Sequence, residues 1–537
     1  MAAFRKQRFL WVLLGVVLSF STFVFTPSGG QAQVTALKQA IAQAAARDQD
    51  IATFYKANTY KPIWVGKRAK HRTRRAQLLK YLSAAGDHGL PIARYDPAGL
   101  KAQMKAARTP TERGALEVEL SRVFLQYARD MQTGVLVPSR VDPAIVRQVP
   151  YRDRASYLVN FAKSTPAGFF KALPPKTTEY AALMKAKLGL EKRLARGGWG
   201  PKVSAGSLKP GESGNSVVAM RNRLLAMGYL KRTNTSTYDS AVQAGVQEFQ
   251  LAHGLEADGV AGAGTIKELN KTVQDRLQSV IVAMERERWL NRERGARHIL
   301  VNIPDFTAKV VDNGKVTFTT RSVVGANKDT RPTPEFSDVM EFMVINPSWY
   351  VPRSIIVKEY LPVLKKNRYG VKHIEITDSR GRKVNRGAVD FSRFTEKTFP
   401  YAMRQPPSRG NALGLVKFMF PNKHNIYLHD TPAKNLFGRE VRAYSHGCVR
   451  LADPFDFAYH LLAKQQSDPK GFFQDKLATG KEARVDLKKP VPVHLIYRTA
   501  FTTNKGATEY RRDIYGRDAK VWRALSNAGV ALRGVGG

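Results

Sequence analysis

The sequence predicts a multidomain α+β protein in which a helical N-terminal scaffold and a small helical module precede a mainly β C-terminal unit. Three observations carry this. Apolar residues recur at helical spacing through the first part of the chain, as in Leu116, Leu120, Val123, Phe124 and Tyr127. Gly- and Pro-rich segments at 197–201 and 209–211 interrupt that pattern. Beyond Arg294 the helical spacing gives way to short β-branched runs bounded by Pro, Gly and Asp-Asn-Gly.

Taken in order, residues 1–32 read as a signal peptide or membrane anchor. Arg5, Lys6 and Arg8 precede an apolar run over 9–25, and the small residues around Gly30 and Ala32 suit cleavage. The run also matches the shortest membrane spans, so cleavage and retention as an inner-membrane anchor both stand, and either exports the rest. Residues 35–200 form the scaffold, with turns at 89–91 and 137–139 and no acid/base or metal constellation. Residues 208–270 form a compact module of two helical stretches, 217–227 and 241–253, with a turn at 254–259. Residues 271–295 read as a connecting helix. The β unit spans 296–500, with strand-like runs at 299–303, 308–311, 316–319, 339–346, 414–419, 425–429 and 491–497, and a helix over 454–465. Within it, 350–406 is an insertion rich in Lys, Arg and Tyr, too long for a simple loop. Residues 501–537 are a C-terminal extension.

The chain has 537 residues, 43% hydrophobic, enough for several cored domains. Its 87 basic and 44 acidic residues give a formal charge of +43, a field that attracts polyanions. No motif of a nucleic-acid fold accompanies the charge. For an exported chain an anionic cell wall or membrane surface is the fitting partner, against diffuse solubilising charge with no specific partner. The sequence leaves the oligomeric state open.

The one cysteine, Cys448, follows Tyr444, Ser445, His446 and Gly447 and precedes Val449 and Arg450. A lone thiol in an oxidising compartment reads as reactive, because it has no disulfide partner within the chain. A nucleophilic thiol needs a base or a cation, and His429, His446 and Arg450 supply both types; the alternative is a small buried hydrophobe. The set also holds zinc-capable atoms, but a single thiolate argues against a metal, and 259–264 lacks the lysine of a phosphate loop, so no metal or cofactor is expected.

His429-Asp430, followed at a distance by Ser445-His446-Gly447-Cys448-Val449-Arg450, resembles the catalytic motif of the L,D-transpeptidases. The segments 346–355 and 411–418 are similar to the large periplasmic members, and 208–270 resembles the small three-helix peptidoglycan-binding domain. The resemblance implies a periplasmic enzyme of a Gram-negative bacterium acting on peptidoglycan stem peptides. It implies Cys448 as nucleophile, forming a thioester with the stem and releasing D-alanine, and His429 as general base. The backbone carbonyl of Asp430 would orient that base, with its carboxylate secondary. Oxyanion stabilisation falls to the backbone at Gly447, with the Tyr427 hydroxyl as an additional donor. His446 either supports the loop or acts directly. Arg450 would hold substrate carboxylates, unless it makes a surface ion pair, and Ser445, Trp349 and Tyr350 would also bind substrate, the two aromatics at the base of a lid formed by 350–406. Transfer to a diamino-acid amine, giving 3-3 cross-links, is the expected outcome, and carbapenems would acylate the cysteine. Attachment of an outer-membrane protein by the same chemistry, hydrolysis, and a non-catalytic wall-binding scaffold are the alternatives.

Overall fold

A computed structural model describes residues 29–328, 331–503 and 506–534. The apolar run over 9–25, and with it the choice between signal and anchor, lies outside them. No helix among the described residues is long and apolar enough to cross a membrane.

The N-terminal region is helical from Gly29 to Ala195. Its longest helix, Pro110–Thr133, starts with a capping box in which Thr109 and Glu112 satisfy each other's backbone N–H groups, with proline in the first turn. Its inner face packs Leu120, Phe124 and Tyr127 among Trp64, Phe161 and Phe170. Glu117 on the same helix is fully buried and accepts from the Tyr55 hydroxyl (2.7 Å) and from the N–H groups of Ile63 (2.5 Å), Trp64 (3.0 Å) and Val65 (2.8 Å). One carboxylate therefore fixes the whole aromatic segment to the helix. The module that follows has three helices, Asn215–Met227, Ser240–Ala252 and Ala263–Leu269, closed over Val217, Leu224, Val246 and Phe249.

The stretch that reads as a connector is a core element. From Val280 to Trp289 every residue of the helix Val273–Trp289 is buried, including four consecutive charged ones. Burying charge is tolerated only when it is paired. Glu285 and Arg288 pair with each other and turn toward the helical region, where Glu285 accepts from Leu136 N–H and Arg288 donates to the His88 carbonyl. Arg286 pairs with Glu335 and Asp518, and Glu287 with Arg294 and Arg498. The helix thus joins the N-terminal region, the β unit and the C-terminal segment, and is called the central helix below.

The β unit is built on strands β1 (Arg297–Asn302), β2 (Thr307–Asp312), β3 (Lys315–Gly325), β4 (Phe336–Ile345), β5 (Trp349–Tyr350), β6 (Glu375–Thr377), β7 (Ala402–Gln405), β8 (Val416–Met419), β9 (Leu428–His429), β10 (Ala443–Ser445), β11 (Val449–Leu451) and β12 (Ala483–Ile496). Nine of them form one sheet in the order β10-β3-β11-β9-β8-β4-β12-β1-β2, and β2 pairs back onto β3, closing the sheet on itself. Its interior holds Val301, Phe418, Leu428, Val449 and Val493, with the helix Pro454–Leu462 packed through Phe457 and Leu461. The chain is thus α+β, as the sequence predicts.

The insertion folds as a unit. β5, β7 and β6 form a separate three-stranded sheet, and Trp349, Leu361, Ile376, Phe391, Phe399 and Met403 form its own apolar core. The C-terminal segment is equally built in: helix Arg517–Asn527 packs Val521 and Leu525 with Leu277 and Ile281 of the central helix.

Candidate active site

Strand register assembles the site. β9 and β11 run parallel with Leu428 opposite Val449 and His429 opposite Arg450, which sets Cys448 level with Tyr427. On the other side of β9, His429 faces Lys417 of β8. Alternation along the chain puts Tyr427 and His429 on one side, and their rings meet edge to face at 5.6 Å between centroids. The predicted strand over 425–429 is shorter in the structure, because Asn425 adopts a left-handed conformation (φ 53°) and only Leu428–His429 pair.

His429 is buried, and its Nδ1 lies 2.5 Å from the Asp430 carbonyl. A carbonyl only accepts, so Nδ1 carries the proton and Nε2 is the basic nitrogen. The Asp430 carboxylate does not touch the ring; it accepts from Leu415 N–H (2.8 Å), Thr431 N–H (2.7 Å) and Lys434 Nζ (2.6 Å). Burial lowers the His429 pKa to about 3, and the positive charge of Arg450 acts in the same direction.

The Cys448 thiol donates to the Asn425 carbonyl at 3.4 Å and lies against Tyr427. Burial pushes its pKa up to about 11, against the lowering contributed by Tyr427 hydrogen bonds and Arg450. The sequence argument that histidines and arginine depress this thiol is therefore corrected: desolvation outweighs them, and the resting pair is neutral thiol and neutral imidazole. The Tyr427 hydroxyl is likewise held well above its usual range by burial and by the neighbouring sulfur.

The other predicted residues take distinct places. Ser445 is buried, and its hydroxyl accepts from Gly447 N–H (3.1 Å) and donates to the Cys448 carbonyl (2.5 Å), so both functions are used inside the loop. Gly447 has φ +113°, a conformation that favours glycine, and its own N–H is occupied by Ser445. Arg450 lines the cleft, and its Nε is buried with no hydrogen-bond partner, which disposes of the surface ion pair. Trp349 is buried at the edge of the insertion, whereas Tyr350 is 68% exposed beside it. His446 Nε2 meets Glu359 Oε1 at 2.7 Å, across the cleft from its own loop.

That contact brings in residues the sequence does not flag. Glu359 stands on a π-helical turn, Ile356–Tyr360, in the insertion, and the same oxygen accepts from Arg331 Nη2 at 2.7 Å. The insertion thus covers a cleft of about 680 Å³ whose floor is Tyr427, His429, Cys448 and Arg450. Thr333 is fully buried beneath the loop and donates to the Gly447 carbonyl at 2.7 Å. No spacing rule connects Glu359, Arg331 or Thr333 to the cysteine motif. Among the described residues, no group of histidine, cysteine and carboxylate side chains is placed to hold a metal ion.

Comparison with known proteins divides the chain in three. Residues 49–186 match a family model described as a scaffold domain, 213–269 one described as a "Putative peptidoglycan binding domain", and 296–492 one described as the L,D-transpeptidase catalytic domain. A protein of Haemophilus influenzae named "Putative L,D-transpeptidase" is 34% identical over 225 residues, 42% of this chain and 45% of that protein. The chain therefore spans less than half of that relative's length. The solved L,D-transpeptidase of Xylanimonas cellulosilytica is 16% identical, with 55% of this chain and 98% of that one covered and a TM-score of 0.16. That of Stackebrandtia nassauensis is 14% identical, with 55% and 97% covered and a TM-score of 0.22.

Proposed function

We propose that the chain, whose residues 296–492 match the L,D-transpeptidase catalytic domain and whose residues 213–269 match a putative peptidoglycan-binding domain, cross-links peptidoglycan stems through a thioester on Cys448. The observation that supports this best is the register of β9 and β11, which brings Cys448, His429 and Arg450, whose Nε has no partner among the described residues, to the floor of one covered cleft.

Cys448 Sγ attacks the carbonyl carbon joining the diamino acid at position three of the stem to D-alanine at position four. Because the resting pair is neutral, the thiol proton moves to His429 Nε2 as the S–C bond forms, rather than beforehand. It then passes to the D-alanine nitrogen as the C–N bond breaks, leaving a thioester and free D-alanine. A side-chain amine of a second stem attacks the thioester, the C–S bond breaks, and the amine's proton returns through His429 to sulfur. The product is a 3-3 cross-link.

Charge builds on the carbonyl oxygen in both steps. The Cys448 N–H and the Tyr427 hydroxyl are the donors for it. Arg450, which pairs with no carboxylate among the described residues, suits bidentate capture of a stem carboxylate. The lid, held by Glu359 to His446 and Arg331, excludes water and so favours transfer over hydrolysis. His446 serves as the anchor of that lid. The basic surface supplies attraction to an anionic wall, and the likeness to periplasmic members supports a site of action in the periplasm.

The test is incubation of the protein with defined tetrapeptide stems and mass spectrometry of the products. Cross-linked dimers with one D-alanine released per bond are expected, and Cys448→Ala abolishes both. Intact tetrapeptide would overturn the enzyme reading; tripeptide without dimer would replace transfer by hydrolysis.

A further inference from the structure

We propose that Thr333 is a positioning residue for acyl transfer: its hydroxyl fixes the peptide plane between Gly447 and Cys448 so that the Cys448 N–H faces the substrate's developing oxyanion. The proposal rests on the thioester reading above and names a residue outside the cysteine motif.

The peptide plane carries the geometry. In a trans peptide the carbonyl of one residue and the N–H of the next point in opposite directions. The Gly447 carbonyl accepts from Thr333 Oγ1 at 2.7 Å, on the buried side of the loop. The Cys448 N–H is therefore aimed the other way. Its neighbours are all occupied: Gly447 N–H by Ser445 Oγ (3.1 Å), the Cys448 carbonyl by the same hydroxyl (2.5 Å), and Val449 N–H by the Tyr427 carbonyl (3.1 Å). The Cys448 N–H makes no hydrogen bond to any described residue. A lone unpaired donor beside a nucleophile is what an oxyanion site requires.

Thr333 can serve as a fixed point because it has no freedom of its own. Its Oγ1 accepts from Gly325 N–H at 2.9 Å, its N–H donates to the Tyr515 hydroxyl at 3.3 Å, and its carbonyl accepts from Arg517 Nη2 at 2.9 Å. Gly325 is needed for this approach, since a Cβ there would stand 1.9 Å from the Arg331 carbonyl oxygen and 2.7 Å from Thr333 N. A residue held by four hydrogen bonds, two of them at its hydroxyl, defines the direction of the peptide plane it grips.

The test separates orientation from general damage. Acylation by a tetrapeptide stem builds an oxyanion, whereas alkylation of the same thiol by iodoacetamide displaces iodide at a saturated carbon and builds none. In Thr333→Val, kcat for D-alanine release is expected to fall roughly ten- to a hundredfold with KM within about twofold, while the alkylation rate stays that of the parent. Thr333→Ser, which keeps the hydroxyl, recovers most of the loss. Should Thr333→Val not fold, Thr333→Ala removes the same hydroxyl with less bulk and carries the same expectation. Parent-like D-alanine release without the hydroxyl, a proportional fall in alkylation, or a serine variant as slow as the valine one would each overturn the assignment. D-alanine release by Cys448→Ala would instead overturn the thioester reading, which keeps the two failures apart.

Discussion

The pH dependence of Cys448 reactivity distinguishes a coupled proton transfer from a preformed ion pair. Cysteine nucleophiles paired with a protonated histidine exist as thiolates well below neutrality, with thiol pKa values of about 3–4 in the strongest cases. Here the thiol is pushed up to about 11 and the imidazole down to about 3, both chiefly by burial. Each pH unit below the thiol pKa reduces the thiolate tenfold, so at pH 7 it is on the order of one molecule in ten thousand. Raising the pH removes the thiol proton and exposes the nucleophile, so alkylation by iodoacetamide should climb about tenfold per unit from pH 6 to 10 with no plateau. His429 adds no inflection in that range, because it stays neutral above about 3. D-alanine release from a stem peptide behaves differently: the proton leaves during attack, and kcat stays nearly level across neutral pH. The assay is the alkylation rate followed by mass spectrometry in a series of buffers. A flat alkylation rate between pH 4 and 8 would refute the neutral pair and with it the coupled transfer.

Other perturbations follow from named contacts. Glu359→Gln weakens a partly exposed charge contact worth about 1 kcal/mol, so the closed lid should lose about fivefold in population, read as a rise in tripeptide over cross-linked product. Arg450→Leu removes a charge-assisted contact worth about 1.5–3 kcal/mol to a stem carboxylate, so KM for the donor should rise tenfold or more, checked by the rate of D-alanine release against donor concentration. Glu117→Leu leaves the buried N–H groups of Ile63, Trp64 and Val65 without an acceptor, and urea unfolding should register a loss of about 3 kcal/mol or more.

What the sequence discloses follows the range over which contacts act. Cys448, Arg450, His429 and Tyr427 are brought together by two short strands close in the chain; the motif itself joins Arg450 to Cys448, and the family resemblance joins them to Tyr427 and His429. Glu359 lies 87 positions from His446 and Thr333 lies 114 from Gly447, and neither spacing has a period to detect. The central helix misleads for a different reason. The stretch with four adjacent charges reads as a connecting helix, yet Arg286 and Glu287 find opposite charges from other segments while Glu285 and Arg288 pair with each other, and only the tertiary fold supplies the outside partners. The thiol's protonation state is hidden in the same way: the cations are visible in the motif, while the burial that outweighs them is not.

These distant contacts have a common consequence for the catalytic loop. Starting at the central helix, Arg286 Nη1 meets Glu335 Oε2 at 2.5 Å, Glu335 Oε1 meets Arg517 Nη1 at 3.3 Å, and Arg517 Nη2 donates to the Thr333 carbonyl at 2.9 Å. Thr333 then grips the Gly447 carbonyl. The helical N-terminal region joins the same point, since Ile145 bridges to Glu335, and Glu335 N–H donates to the Ala144 carbonyl at 2.9 Å. Glu335 is 2% exposed, and a carboxylate so buried is tolerated only with both arginines in place, because removing a partner from a buried pair costs about 3–5 kcal/mol. Arg286 lies before residues 296–492 and Arg517 after them, so the stretch that carries the cysteine loop does not by itself contain the charges that hold that loop. Attachment of the N-terminal region and the C-terminal segment is thus part of the candidate site's construction, and the central helix, with its buried charges, is where that attachment is made.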